Sequence, residues 1–424
     1  MSHKLYKNIK TSVHQVILLF IWWLIRFYLW FQNPILKKTN KIYIIPSDPY
    51  NLVGAKGDEA MLLAAIEQIK LRFPNCQLVV NCTGPNCQTI SKPLQLQIRI
   101  AWKHPLMPLV FLKEILADAP RVALVMGADV MDGYYSPIHS LKMIISADLM
   151  ARCGVKTIFL GFSFNNQPTS LLKLAFQRLH PKVKVNLRDS ISMTNYQNFT
   201  KRVGNLVADT AFLLTPQPVS VAFKAVSDWI NQQKSLDRQI IVINYHSMLF
   251  KDRTWMAQLE SSVKSSLEEM SSHYKLSWLL LPHDNRISAG DIIAMKNLYT
   301  TLTGEQNDNI FLVSVPPAAV EIKEIMGEID GVIAGRMHLA IAALGRSKPV
   351  MVFSYQGKFS GLLAHFALPN WLELDPIESC QQNFLISRFN QFILELPQLQ
   401  QQVAAQLPPV KTLALTTFAE INNA

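Results

Sequence analysis

The sequence predicts an α/β protein of two doubly wound parallel-sheet domains, with a separate apolar helix ahead of them. Three observations carry that prediction. Short apolar runs such as KIYIIP, RVALVM, QIIVINY and KLSWLLLP recur along the chain, separated by amphipathic helical stretches. The 424 residues are too many for one typical domain and suit two of roughly 150–200 residues. Pro216 and Pro218 interrupt the periodicity across Leu214–Ser220, after which the alternation starts again. The expected division is an apolar helix over 1–38, a first domain over 39–215, and a second domain with a helical tail over 216–424.

The elements follow in order. Val13 to Phe31 is apolar around the whole helix circumference except at His14, Gln15 and Arg26, with Lys4, Lys7 and Lys10 before it and Lys37, Lys38 and Lys41 after it. A spanning helix needs about 20 apolar residues, which this stretch barely reaches with an arginine inside it. No small-residue cleavage site follows it. Trp22, Trp23, Tyr28 and Trp30 favour a membrane interface, and the basic flanks suit a monotopic or re-entrant helix on the cytoplasmic leaflet. In the first domain, strands are expected at Lys41–Pro46, Gln77–Val80, Arg121–Met126, Thr157–Phe164, Lys184–Leu187 and Leu206–Ala208. Helices are expected from Asp58 and over about Ser140–Arg152. The second domain reads as a helix over Val221–Gln233, then the strands QIIVINY, KLSWLLLP, NIFLVS, GVIAG and PVMVFSY with helices between, and a helical tail over Ser379–Gln406. These are two Rossmann-like domains in tandem.

Composition narrows the function classes. With 49% apolar residues a sizeable core is available, which excludes wholesale disorder. The formal net charge of +11 fits nucleic acid, an anionic membrane or an anionic small substrate. No zinc-finger spacing, basic helix or RNA-binding aromatic signature is present, so no nucleic-acid partner is expected. Five cysteines without a CxxC pair argue against a disulfide framework or a zinc ribbon and favour a reducing, cytoplasmic setting.

Polar residues cluster at predicted strand ends, where open α/β sheets bind ligands. Gly335, Arg336, Met337 and His338 fall between a strand and the apolar start of a helix, a position that favours an anion. An arginine fork and an imidazole two residues apart suit an anionic substrate that must receive a proton. His246 and His283 also follow strands, and Lys358 adds a cation. In the first domain, Gly54, Gly57 and Asp58 precede a helix that Asp58 is expected to cap. Asp129 and Asp132 sit at another strand end, as do Arg188 and Asp189. GxGxxG, a P-loop, a Ser-His-Asp set and HExxH are all missing, and no metal is expected.

Taken together, GAKGDEA (54–60), GADVMDG, RDSIS, ADTAF (208–212), LLLPHD (279–284), GRMH (335–338) and SKPVMVFSYQGKFSGL (347–362) resemble the polysaccharide pyruvyl transferase family over about Lys41 to Leu368. One departure is Ala55, where the family often has asparagine. The resemblance implies a two-domain fold like that of B-type glycosyltransferases, with phosphoenolpyruvate as donor and a pyruvate ketal on a cell-surface glycan sugar as product. No cofactor is implied, and the acceptor is a glycan or lipid-linked saccharide. Carried over by motif position, Arg188, Arg336 and His338 would contact the donor. We expect His338 as the acid, Arg188 with Arg336 as the anion clamp, and His283, Lys358 and Asp58 as further substrate contacts. The alternative is a nucleotide-sugar-dependent glycosyltransferase of the same two-domain type.

Overall fold

The computed structural model describes residues 3–32, 34, 36–250, 252–286, 290–302, 308–354 and 357–423. The expected strand residue Tyr355, with Gln356 of the last family motif, lies outside them, as do the side chains of Lys4, Lys7 and Lys10. The chain divides into two compact units: 1–53 with 65–210 and 413–424, and 54–64 with 211–412.

The first unit holds a seven-stranded parallel sheet in the order β3-β2-β1-β4-β5-β6-β7. Its strands are β1 (Lys41–Ile45), β2 (Gln77–Asn81), β3 (Leu96–Arg99), β4 (Val122–Val125), β5 (Lys156–Phe162), β6 (Lys184–Leu187) and β7 (Asn205–Leu206). β1 and β4 are buried almost throughout, the signature of a parallel sheet covered on both faces. The order reverses between β1 and β4, which places a ligand crevice of this fold type at their carboxyl ends. The helices of this unit are α1 (His3–Gln32), the later part of α2 (Lys56–Arg72), α3 (Cys87–Ser91), α4 (Met107–Asp118), α5 (Pro137–Arg152), α6 (Ser170–Gln177) and α7 (Ser190–Thr200).

Helix α1 does not stand apart from the unit. Leu18, Ile21, Trp22, Ile25 and Leu29 form one stripe at helical spacing and are buried in the same core as α4 and α5. The stripe is fixed by a buried carboxylate. Asp148 of α5 accepts a hydrogen bond from Trp22 Nε1 at 2.8 Å, another from Arg152 Nε at 2.8 Å, and one from the His180 backbone N–H at 2.8 Å. Arg26 lies 3.7 Å from the same carboxylate, with its guanidinium over the Trp22 ring.

The second unit holds a six-stranded parallel sheet in the order β10-β9-β8-β11-β12-β13. Its strands are β8 (Gln239–Asn244), β9 (Leu276–Leu280), β10 (Ile310–Leu312), β11 (Gly331–Ala334), β12 (Val350–Phe353) and β13 (Glu373–Leu374). The helices are α8 (Lys224–Ser235), α9 (Arg253–His273), α10 (Asp291–Leu302), α11 (Ala319–Glu328), α12 (Met337–Leu344), α13 (Ser360–His365) and α14 (Gln382–Thr416). Here the order reverses between β8 and β11, so the strand ends at Asn244 and Ala334 flank this unit's switch point. Residues 54–64 join this unit through an antiparallel bridge from Ala55 to Asp284, with Lys56 N–H donating to His283 O at 3.2 Å and Asn285 N–H to Gly54 O at 3.0 Å.

Two expectations are corrected. Cys82 and Cys87 form a disulfide, with Cα atoms 5.9 Å apart, while Cys76, Cys153 and Cys380 are free thiols. The chain leaves β2 at Asn81 and turns straight back into α3 at Cys87, which brings the pair into bonding range. The cysteine argument for a reducing setting is thereby removed. Asp58 does not cap its helix: α2 begins at Lys56, which places Asp58 inside the first turn, where its charge still favours the helix dipole.

Candidate active site

The site is built on the strand ends of the second unit. β11 runs out at Ala334 into Gly335 and Arg336, and α12 starts at Met337 with Arg336 as its extended N-cap residue. A Cβ at Gly335 would meet the Tyr245 Cα at 3.0 Å, so two strand ends approach closely at this point.

Arg336 is held by a carboxylate that the sequence reading had not singled out. Asp291, fully buried at the start of α10, accepts from Arg336 Nε at 3.1 Å on both oxygens and forms a second bond with Arg336 Nη2. The same carboxylate accepts from His283 N–H at 3.2 Å and from Asn244 Nδ2 at 3.3 Å. Asp284 stands 3.8 Å from Arg336 Nη2 and is itself paired with Arg286 at 2.6 Å. The fork of Arg336 is therefore oriented by Asp291 at the start of α10 and by Asp284 after β9, and Asn244 at the end of β8 bonds the same Asp291 carboxylate.

The start of α2, the segment around Ala211–Leu214, the loop after β9, and helices α11 and α12 together line a small pocket. Its polar lining is Lys56, His283, Lys323 and His338, and its apolar walls include Ala60, Leu214, Ala319 and Ile322. Lys56 pairs with Glu59 at 2.7 Å, and the other oxygen of Glu59 accepts from Ala319 N–H at 3.2 Å, which ties the start of α2 to α11. Lys323 donates to the carbonyls of Ala211 and Phe212 at 3.1 and 2.9 Å. Gly57 faces the imidazole of His338 so closely that a Cβ would lie 2.2 Å from Nδ1.

Burial sets the protonation of two imidazoles. His283 is held well below the ordinary histidine range, first by desolvation and then by its neighbours His338, Arg336 and Lys56. His246 is depressed in the same direction by burial and by Arg336, against a raising contribution from its bond to Gly335 O. Its ring nitrogens bridge Gly335 O at 3.0 Å and Met248 N–H at 3.2 Å, the arrangement of a neutral Nε2–H tautomer serving the loop.

Of the expected residues, His283 and His338 line the pocket, whereas Arg336, Lys358 and Asp58 lie outside its lining. Lys358 is buried and contributes to the neutrality of His246. Arg188 belongs to the first unit, where its guanidinium is almost fully buried and donates to Asp209 at 2.9 Å and to Ser163 Oγ at 2.7 Å. Nearby, Asp189 caps α7 by accepting from Ser192 N–H and Oγ. Asp132 accepts from Tyr134 N–H and shapes its own loop, next to Gly133 at φ +81°. Among the described residues no group of His, Cys, Asp or Glu could hold a metal ion.

The sequence reading missed Lys56, Asp291 and Lys323. Lys56 stood between two glycines already singled out and could have been found there. Asp291 is the first residue of a helix and carried no distinguishing mark. Lys323 lies among apolar neighbours of α11, where a lysine ordinarily reads as surface.

Several solved structures share this two-domain fold. UDP-N-acetylglucosamine 2-epimerase from Neisseria meningitidis, solved with UDP-GlcNAc, matches with a TM-score of 0.57 at 11% identity, covering 91% of this chain and 100% of that one. The Staphylococcus aureus MnaA–UDP structure matches with a TM-score of 0.57 at 12% identity over 86% of this chain and 90% of that one. A glycosyltransferase from Rickettsia africae matches at 0.54 and 13% identity over 91% and 98%. At such identities the likeness shows two parallel-sheet α/β domains of the glycosyltransferase-B type and nothing of the substrate. No curated protein matches the sequence. The family model for polysaccharide pyruvyl transferase matches residues 56–357, and the chain belongs to that family of transferases.

Proposed function

We propose that the protein transfers the enolpyruvyl group of phosphoenolpyruvate onto two hydroxyls of one glycan sugar, forming a pyruvate ketal. The observation that carries this reading is the convergence of His338, Lys56 and Lys323 on one pocket, beside the oriented fork of Arg336. Phosphoenolpyruvate carries a carboxylate and a phosphate, so its site needs several cations and little else that is charged. A proton delivered to the methylene carbon makes a methyl group and leaves an oxocarbenium-like centre at C2. One sugar hydroxyl adds there, phosphate leaves with the electrons of the C2–O bond, and the second hydroxyl closes the ketal. Of the two protons lost by the hydroxyls, one replaces the proton given to the methylene and the other goes to phosphate.

In this reading His338 is the acid. His283, kept neutral by burial, is suited to accept from a sugar hydroxyl rather than to give up a charge-bearing proton. Arg336 steadies the leaving phosphate, and the family motif brings Arg188 into the proposal as a donor contact.

The test is incubation with phosphoenolpyruvate and candidate lipid-linked glycans, read by mass spectrometry for an added pyruvyl ketal and by phosphate release. His338→Ala should lower turnover about 10²–10⁴-fold while phosphoenolpyruvate still raises the melting temperature. Near-wild-type product from that variant excludes the acid role. Protection by UDP-N-acetylglucosamine in place of phosphoenolpyruvate favours sugar transfer instead.

A further inference from the structure

We propose that α1 lies flat on an anionic lipid surface, docked to its own domain along one face and to lipid along the other. This goes beyond the transfer reaction and does not depend on it.

An all-round apolar helix has two apolar faces, and the fold uses only one. Leu18, Ile21, Trp22, Ile25 and Leu29 are buried in the first unit. On the opposite side Val13, Val16, Ile17, Phe20, Trp23, Leu24, Phe27, Trp30 and Phe31 are exposed, with Trp23 at 58%, Phe27 at 53% and Trp30 at 71%. Trp23, Phe27, Trp30 and Phe31 stack among themselves and make a continuous aromatic ridge. By length and composition Val13–Gln32 could cross a membrane. A crossing helix, however, is surrounded by lipid, and here Trp22 and Arg26 are committed to Asp148 on the protein side. Arg26, which is costly inside a bilayer, has its counter-charge on the unit itself. The helix is therefore placed to lie along the surface.

Charge and composition identify the occupant. Indole and phenol rings are favoured at the headgroup level, and Trp23, Tyr28 and Trp30 present them outward. Lys37 is exposed just beyond the helix. With a net charge of +11, a second copy would meet this face with like charge, whereas anionic headgroups would meet it with opposite charge.

Deleting α1 would strip the first unit of core residues, so the test keeps the full chain and changes only the exposed face. The wild type should sediment with mixed phosphatidylcholine–phosphatidylglycerol vesicles far more than with phosphatidylcholine alone. Trp23→Ser/Phe27→Ser/Trp30→Ser should weaken that binding about a hundredfold with an unchanged circular-dichroism melting curve. Bromines near the headgroup should quench wild-type fluorescence more than bromines at the chain ends, and Trp23→Phe/Trp30→Phe should bind yet lose most of that quenching. A wild type that stays in the supernatant overturns the proposal. So does equal binding by the triple variant, strongest quenching from the chain ends, or a lipid-free dimer that the triple variant abolishes.

Discussion

Asp291 is the residue through which the site is organised, although it lies outside the lining of the pocket. Its carboxylate is fully buried, and Arg336, His283 and Asn244 all bond to it. Asp291→Asn keeps the volume and removes the charge that orients the fork. We expect kcat/KM to fall about 10–100-fold, because an ångström of misplacement at a reacting centre costs that much. Unaltered steady-state kinetics would show that Arg336 is held without it. Gly57 acts by what it lacks: a Cβ would press on His338 Nδ1 from 2.2 Å. Gly57→Ala should displace the imidazole and cost about a hundredfold in turnover, while the melting curve moves little. Wild-type turnover from Gly57→Ala would mean that the ring can shift without consequence. At this scale the sequence was legible where a polar residue stood alone at a strand end, as Arg336 and His338 do. It was illegible where burial decided the role. His246 looked like a site residue and is a neutral loop fastener, and Asp291 looked like an ordinary helix start.

Helix α1 shows what pattern alone can and cannot determine. Its apolar circumference was plain in the sequence, but its division into a protein face and an exposed face depends on Asp148, which lies 126 residues away from Trp22. Asp148→Asn would leave Arg152 and Arg26 without their buried counter-charge. We expect a loss of about 3 kcal/mol in unfolding free energy, read by chemical denaturation. A change within experimental scatter would mean that the apolar stripe holds α1 by itself. Elsewhere the strongly apolar strands β1, β8, β9 and β11 fall where their runs placed them. The edge strands β3 and β13 carry mixed residues and gave no such signal. Helix α4 was obscured by Pro108, which is harmless in a first turn. The tail helix α14 runs on to Thr416 through Pro397, Pro408 and Pro409, so proline misled there about the helix end.

At the scale of the whole molecule, buried histidines make stability depend on pH. His139 in the first unit and His246 and His283 in the second are all depressed, each chiefly by desolvation. The unfolded chain binds protons at these groups near pH 6.5, whereas the folded chain does so only at lower pH. Their contribution to stability is thus complete above about 6.5 and is lost as the pH falls below that value. Melting temperatures should drop steadily from pH 7 to 5, and a flat profile would contradict the neutral assignment. The net positive charge suits an anionic donor and an anionic surface alike, so it does not decide between substrates. Proton delivery does. The most direct measurement is the transfer reaction run in heavy water, with the product examined by NMR and mass spectrometry. The account predicts a pyruvyl ketal whose methyl group carries one solvent deuterium, formed by the wild type and not by His338→Ala. A ketal methyl without solvent deuterium, or the same labelled product at the same rate from His338→Ala, would contradict it.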